Sequence, residues 1–318
     1  MMKSLVTAGL LLVSPALFAQ TPNLANVEIH ALKVQGNVYM LVGAGANITV
    51  QAGEDGVLIV DTEYAPLADK ILAAIKKISP EPLRYIINTS HEPDHIGGNE
   101  PLRKSGKTIA GGNVVGDLGA SASEGAQILA HDNVMKHISA PTGKQSAAPI
   151  GAWPTDTFVD EEKKLWFNNE GIQIIHLPNA HTDGDSIVFF RKSDVIATGD
   201  LFTTTDYPVI DTAAGGTING FLDGVNRILD LVITIYGQEG GTMIVPGHGR
   251  LCDEGDLINY REMATIIRDR VQDLIKKGMT LEQVRAAKPT FDYDPLYGAN
   301  PKWTPDMFVE AVYKTLKK

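Results

Sequence analysis

The 318-residue chain has one cysteine, Cys252, so it cannot form an internal disulfide, and no cystine framework stabilises it. It also lacks basic excess. Twenty-eight Lys and Arg stand against 38 Asp and Glu, giving a net charge of −10. A nucleic-acid partner is not expected, because nonspecific binding needs a basic face. Beyond the N-terminus there is no apolar run of about 18 residues, so no stable membrane insertion is expected after processing. No solenoid-type repeat is present. With 43% hydrophobic and 21% charged residues, the composition is that of a globular protein with a sizeable core.

The one long apolar stretch lies at the start. Lys3 supplies a positive n-region, Leu5 to Leu17 an apolar segment broken by Ser14 and Pro15, and Ala19 a small residue before cleavage. This pattern predicts a signal peptide over 1–19 and a mature chain over 20–318, placed in the periplasm or secreted.

What the chain does have is a dense polar cluster at a strand end. Tyr85, Ile86 and Ile87 are β-formers. Ser90, His91, Glu92, Asp94 and His95 follow within six positions, and Gly97-Gly98 close the loop. Imidazoles and carboxylates packed so closely suit a divalent cation better than a core. Three further clusters repeat the layout after apolar β-like runs. They are Ala180-His181-Thr182-Asp183-Gly184-Asp185, Thr198-Gly199-Asp200 and Pro246-Gly247-His248-Gly249. One such cluster is weak evidence; four in order predict a multi-ligand metal site. The other histidines, His30, His131, His137 and His176, are expected to be structural or solvated.

Around these clusters, residues 27–62 read as four short strands in an antiparallel meander, then a helix over 66–78, a strand over 83–89, a short helix over 99–105 and a strand over 108–110. Residues 113–158 show no clear period and are expected to fold over the site as a cover. Hairpins are predicted over 165–177, about Asn169-Glu170-Gly171, and over 187–197. A helix over 219–236, a strand at 243–245 and helices from Asp256 onward complete the chain. Thr280 to Gln283 spells a capping box, and Thr304-Pro305 starts the last helix. The pattern suggests two β-rich halves, each covered by helices.

In these motifs the mature sequence resembles the metallo-β-lactamase superfamily. That family's first motif is His-x-His-x-Asp-His followed by Gly-Gly, and its later ligands are a His, an Asp and a His in Gly-His-Gly. The resemblance implies an α/β fold, an αββα sandwich of two mixed sheets packed face to face with helices outside. It puts the later ligands on His181, Asp200 and His248, and a supporting acid on Asp61. Asp94 and His95 fit the first motif, whereas Ser90 and Glu92 stand where the family has two histidines. His91 falls between them. The implied second site is Asp94, His95 and His248 with Asp200. The first keeps His181 and Asp200, with Glu92. Three arrangements follow: a weak first site through Glu92, a mononuclear centre, or a loop shifted so that His91 binds.

The resemblance implies an exported hydrolase holding one or two zinc ions, with manganese or iron as alternatives. A metal-bound hydroxide would attack a small-molecule ester, lactone, amide (β-lactam included) or phosphoester, with Asp94 orienting the nucleophile. Two alternatives stand beside it: a non-catalytic relic on the same scaffold, and an iron-dependent oxidoreductase acting on thiols or persulfides. The sequence leaves substrate and oligomeric state open.

Overall fold

The computed structural model describes residues 24–108, 125–139, 146–232 and 241–317. The expected signal peptide over 1–19 lies outside them.

Four strands open the chain: β1 His30–Gln35, β2 Val38–Val42, β3 Ile48–Gly53 and β4 Gly56–Val60. They pair antiparallel in sequence order, the expected meander. Helix α1 Ala68–Ile78 crosses to β5 Leu83–Ile87, which lies parallel to β4. Ile71, Ala74 and Ile75 make the buried stripe of α1 at helical spacing. Two short helices follow, α2 Pro93–Ile96 and α3 Asn99–Ser105. Strand β6 Gln127–His131, helix α4 Asp132–Ile138 and strand β7 Asp156–Phe158 complete a seven-stranded sheet, with β4 to β7 parallel.

A second sheet holds β8 Glu162–Phe167, β9 Glu170–His176, β10 Ser186–Phe190, β11 Val195–Ala197 and β12 Met243–Val245, in the order β12-β11-β10-β9-β8. The β8–β9 turn is tighter than expected. It uses Asn168 and Asn169, both at positive φ (52° and 57°), the two-residue hairpin geometry that asparagine tolerates. Helices α5 Ile218–Val232, α6 Glu254–Lys276, α7 Leu281–Ala286, α8 Asp294–Tyr297 and α9 Pro305–Leu316 follow. Both caps read from the sequence are formed. Thr280 and Gln283 make a reciprocal capping box, and Thr304 accepts from the Met307 amide with Pro305 in the first turn.

Alternation along each strand separates the layers. Leu58 and Val60 of β4 pack with Ile174, Val188 and Val245 between the sheets. Val57 and Ile59 turn outward onto α1. On the far side Ile187, Ile196 and Ile244 pack beneath α5, α6 and α9. The result is the expected αββα sandwich, cross-linked inside by a Gln51 Nε2 to Glu170 Oε2 hydrogen bond of 2.7 Å.

The expectation for 113–158 needs correcting where the chain is described. Residues 127–138 form β6 and α4 in the scaffold, Ile150–Ala152 is a 3-10 turn, and β7 pairs with β6. Residues 113–124 and 140–145 of that stretch lie outside the described residues, as do the expected strand positions 109–110 and the end of the predicted 219–236 helix.

His131 shows why α4 escaped the pattern: an imidazole caps it. His131 Nδ1 accepts from the Asn133 amide at 3.3 Å, and the ring stacks on His176 at 3.5 Å between centroids. Burial, then the neighbouring His176, pushes its pKa down to about 4. An unfolded histidine titrates near 6.5. Between those values the unfolded chain binds a proton that the fold refuses, so stability falls as pH drops from 6.5 toward 4. His131→Asn keeps a favoured cap and removes the titration. Its unfolding free energy from urea titration should fall less between pH 7 and pH 4.5 than the wild type's, by about 2 kcal/mol. Equal falls would sink this account.

Candidate metal centre

Strand register assembles the site. Val60 pairs with Ile87, so Asp61 and Thr89 emerge together at one sheet edge. Ala197 pairs with Val245, which sets Asp200 beside His248 on the loops just beyond. His181 follows β9 by the same edge. Ligands in open α/β sheets bind at such carboxyl ends.

Backbone contacts too close for a side chain hold the loops together. A Cβ on Gly98 would lie 2.2 Å from the Thr62 carbonyl oxygen. Gly199 has φ +51° and would strike Thr89 Oγ1 at 2.4 Å. Only glycine fits there without strain. Asp61 itself sits at φ 65°, a conformation a non-glycine residue keeps only where its surroundings enforce it. Its carboxylate takes the Thr89 amide at 2.9 Å and the Thr89 hydroxyl at 2.6 Å, and lies 2.8 Å from His95 Nδ1.

The candidate ligands fall into two groups whose donor atoms lie within 4.8 Å of one another: Asp94, His95 and His248, and Glu92, His181 and Asp200. Asp200 stands between them. Its Oδ2 is 3.2 Å from His95 Nε2 and 3.5 Å from His181 Nε2, and its Oδ1 is 3.4 Å from His248 Nε2. Asp94 Oδ2 is 3.4 Å from His248 Nε2, and Glu92 Oε1 is 2.8 Å from His181 Nε2. His181 Nδ1 donates to the Val209 carbonyl at 2.9 Å, which turns Nε2 to the centre.

The uncertain first-motif positions resolve as neighbours. The Ser90 hydroxyl donates to Glu92 Oε2. His91 stays outside both groups, 3.8 Å from Glu92 Oε1, with its ring stacked on His137 at 4.3 Å. His137 is tied by Nε2 to Asp183 Oδ1 at 2.6 Å. His30 lies on β1, exposed and 3.7 Å from Glu28.

Charge runs high in this cluster. Burial would raise the Asp200 carboxyl, but His95, His248 and His181 hold it well below the usual carboxylate range. Burial opposes protonation of His95, yet Asp200 and Asp61 hold its pKa well above normal. Burial would likewise raise Glu92, and His181 pulls it down to about 2. The donor set fits a divalent metal. His95 Nε2 is buried and forms no well-shaped hydrogen bond, though it points at the centre. Three carboxylates and three imidazoles converge on that point, the donors borderline dications select.

Sequence reading missed several supports. Asn88 and Asn99 exchange amide hydrogen bonds of 2.8 and 3.0 Å behind the first motif. Glu63 accepts the Ala44 and Gly45 amides and braces the β2–β3 turn beside Asp94; burial pushes its carboxyl up to about 7. Asn47 Nδ2 donates to the Pro246 and Gly249 carbonyls, fixing the His248 loop. None carries a local sequence signal beyond being polar near a motif.

Comparison with known proteins completes the description. A family model described as the metallo-beta-lactamase superfamily matches residues 36–249. A linear primary-alkylsulfatase from a Pseudomonas sp. strain is 24% identical over 259 residues, covering 72% of this chain and 47% of that protein. A type 2 metallo-beta-lactamase from a Bacillus sp. strain is 21% identical over 211 residues, covering 65% of this chain and 68% of that protein. Among solved structures, a sec-alkylsulfatase from Pseudomonas sp. superposes with a TM-score of 0.62 at 14% identity, over 90% of this chain and 50% of that one. A metallo-beta-lactamase from Pontibacter korlensis gives 0.55 at 14%, over 75% and 99%. The chain thus spans about half the length of the alkylsulfatases it matches. The structural likenesses show the fold.

Proposed function

The chain belongs to the metallo-beta-lactamase superfamily, and from that premise we propose that it is a hydrolytic enzyme, exported and zinc-dependent, acting on a small ester-class substrate. The observation that supports this reading most is the pair of donor groups meeting on Asp200. Asp94, His95 and His248 would hold one ion, Glu92 and His181 the other, with Asp200 serving both. A bound dication would supply Lewis-acid polarisation and lower the pKa of a water toward about 7.

The chain's own residues do the rest. Asp61 and the Val209 carbonyl fix the ring faces of His95 and His181. Asp94, beside His248, would orient the attacking water through its carboxylate. Ser90 steadies Glu92 from behind. The relatives' names extend the candidate bonds to sulfate esters and β-lactams.

The test starts with protein recovered from the periplasm of an expressing host. Mass spectrometry should place its N-terminus near Gln20 or Thr21. Metal analysis should find zinc, and a panel of 4-nitrophenyl acetate, a γ-lactone, a chromogenic cephalosporin, bis-4-nitrophenyl phosphate and an n-alkyl sulfate should show turnover that a chelator abolishes. An intact Met1 would reject export. Metal-replete protein inert across the panel would favour the relic reading, and iron in place of zinc the oxidoreductase.

A further inference from the structure

A cleft of about 460 Å³ opens directly from Glu92 and His181 and runs along α9. That volume is in the range of small-molecule sites. Met307, Glu310, Ala311 and Lys314 line one wall; their spacing of three, one and three puts them on a single helix face. Val209 and Ile210 form the facing wall, and Trp303 closes one side. Between the walls, apolar surface exceeds polar surface.

The charges at the rim are already engaged. Glu310 pairs with Lys314 at 2.6 Å and also with Arg285. Asp211 Oδ1 accepts the Ala213 and Ala214 amides at 2.8 and 3.0 Å. Glu310 and Lys314 offset each other's charge at the rim, and the apolar walls favour a neutral arm. The cleft is also tied to the metal centre. Pro208 O accepts from Trp303 Nε1 at 3.1 Å, Val209 O from His181 Nδ1 at 2.9 Å, and the Asp211 amide donates to His181 O at 2.9 Å. One short segment therefore holds both the cleft's aromatic wall and a candidate ligand. Residues 303–314 lie beyond the 36–249 matched by the family model, so this wall belongs to the chain's own C-terminal layer.

We propose that the cleft is the specificity pocket of the enzyme: it takes the uncharged, apolar alkyl or aryl arm of the ester, with Met307 and Trp303 as specificity-determining residues and the scissile bond at the Glu92–His181 end. The proposal rests on the hydrolase reading above. It makes the substrate amphiphilic, a polar ester head on a carbon arm.

The probe is a series of n-alcohols from 1-butanol to 1-octanol, added to the zinc-loaded full chain. Binding is read from the indole N–H resonance of Trp303, which needs no turnover. The apparent Kd should fall about fourfold per added methylene, the gain expected for burying one CH₂. Met307→Glu should weaken 1-octanol binding at least tenfold and flatten the series. That substitution completes a Thr-x-x-Glu capping box on Thr304, so α9 should fold at least as well as before. An unmoved Trp303 resonance overturns the proposal, and so does a Met307→Glu variant that binds like the wild type. Failure of the two readings can be told apart. Alcohol binding without turnover of any panel substrate leaves an apolar-ligand cleft and removes the hydrolase. Turnover without alcohol binding does the reverse.

Discussion

Asp200→Asn should leave the protein folded but empty the Glu92–His181 group of metal, loosen the ion held by Asp94, His95 and His248, and lower kcat/KM at least a thousandfold. Among the described residues, Asp200 is the one carboxylate within 3.5 Å of His95, His181 and His248 together. An amide of the same shape offers one neutral oxygen and, on its other side, an N–H donor that repels a cation. It cannot serve two ions at once. The loss of a full negative charge also leaves the imidazole cluster with less to balance it. A thousandfold loss corresponds to about 4 kcal/mol of barrier, large but ordinary for a group that binds the catalytic metal. The fold should persist, since the turn Gly199–Leu201 is held by backbone contacts to Phe202 and Gly247. The check is metal stoichiometry after dialysis against a mild chelator, alongside circular dichroism and turnover. A variant that keeps as much metal as the wild type and stays within tenfold in kcat/KM would show that Asp200 is not shared between the two donor groups.

The elements around this carboxylate were legible for a physical reason. Short apolar runs such as Val57 to Val60 and Ile86-Ile87 are buried on both faces in a parallel arrangement, so they read as unbroken hydrophobic strands. The polar residues that end them stand out by contrast, and register then places them side by side. Glu92 illustrates the gain from motif spacing. Counting back from Asp94-His95 put it with His181 and Asp200, and the fold brings those three side chains together. His91, which falls between Ser90 and Glu92, was equally visible in sequence but turns toward His137. That choice depends on Asp183, which no local pattern links to residue 91.

What stayed hidden was mostly long-range. Thr304-Pro305 marked the start of a terminal helix, and α9 buries Phe308 and Val312 in the core. That another side of the same helix lines a cleft at Glu92, over 200 residues earlier, follows only from packing. Helix α4 was missed because its cap is a histidine, a residue outside the usual capping set.

His95→Ala should cost the tightly held ion and most activity, whereas His181→Ala should keep about one equivalent of metal. The two rings differ in what stands behind them. His95 is fully buried and backed by the Asp61 carboxylate at 2.8 Å, itself fixed by two hydrogen bonds from Thr89. An anionic partner orients the ring and raises its basicity as a ligand. His181 is backed by a neutral carbonyl, and its companion Glu92 shares its second oxygen with the Ser90 hydroxyl. The first group also offers two imidazoles and a carboxylate before Asp200 is counted, a usual zinc set, against one imidazole and one carboxylate in the second. The second group still collects enough negative charge to attract an ion, so its site should fill at higher metal concentration. Glu92→His should raise that occupancy, because it supplies the missing imidazole. Asp61→Asn should weaken the tight ion about 10–100-fold, the usual effect of losing such a backing group. Metal counts after mild chelation decide the order. If His181→Ala emerges empty while His95→Ala keeps one equivalent, the tight site is the one built on Glu92, and the backing carboxylate does not govern affinity here.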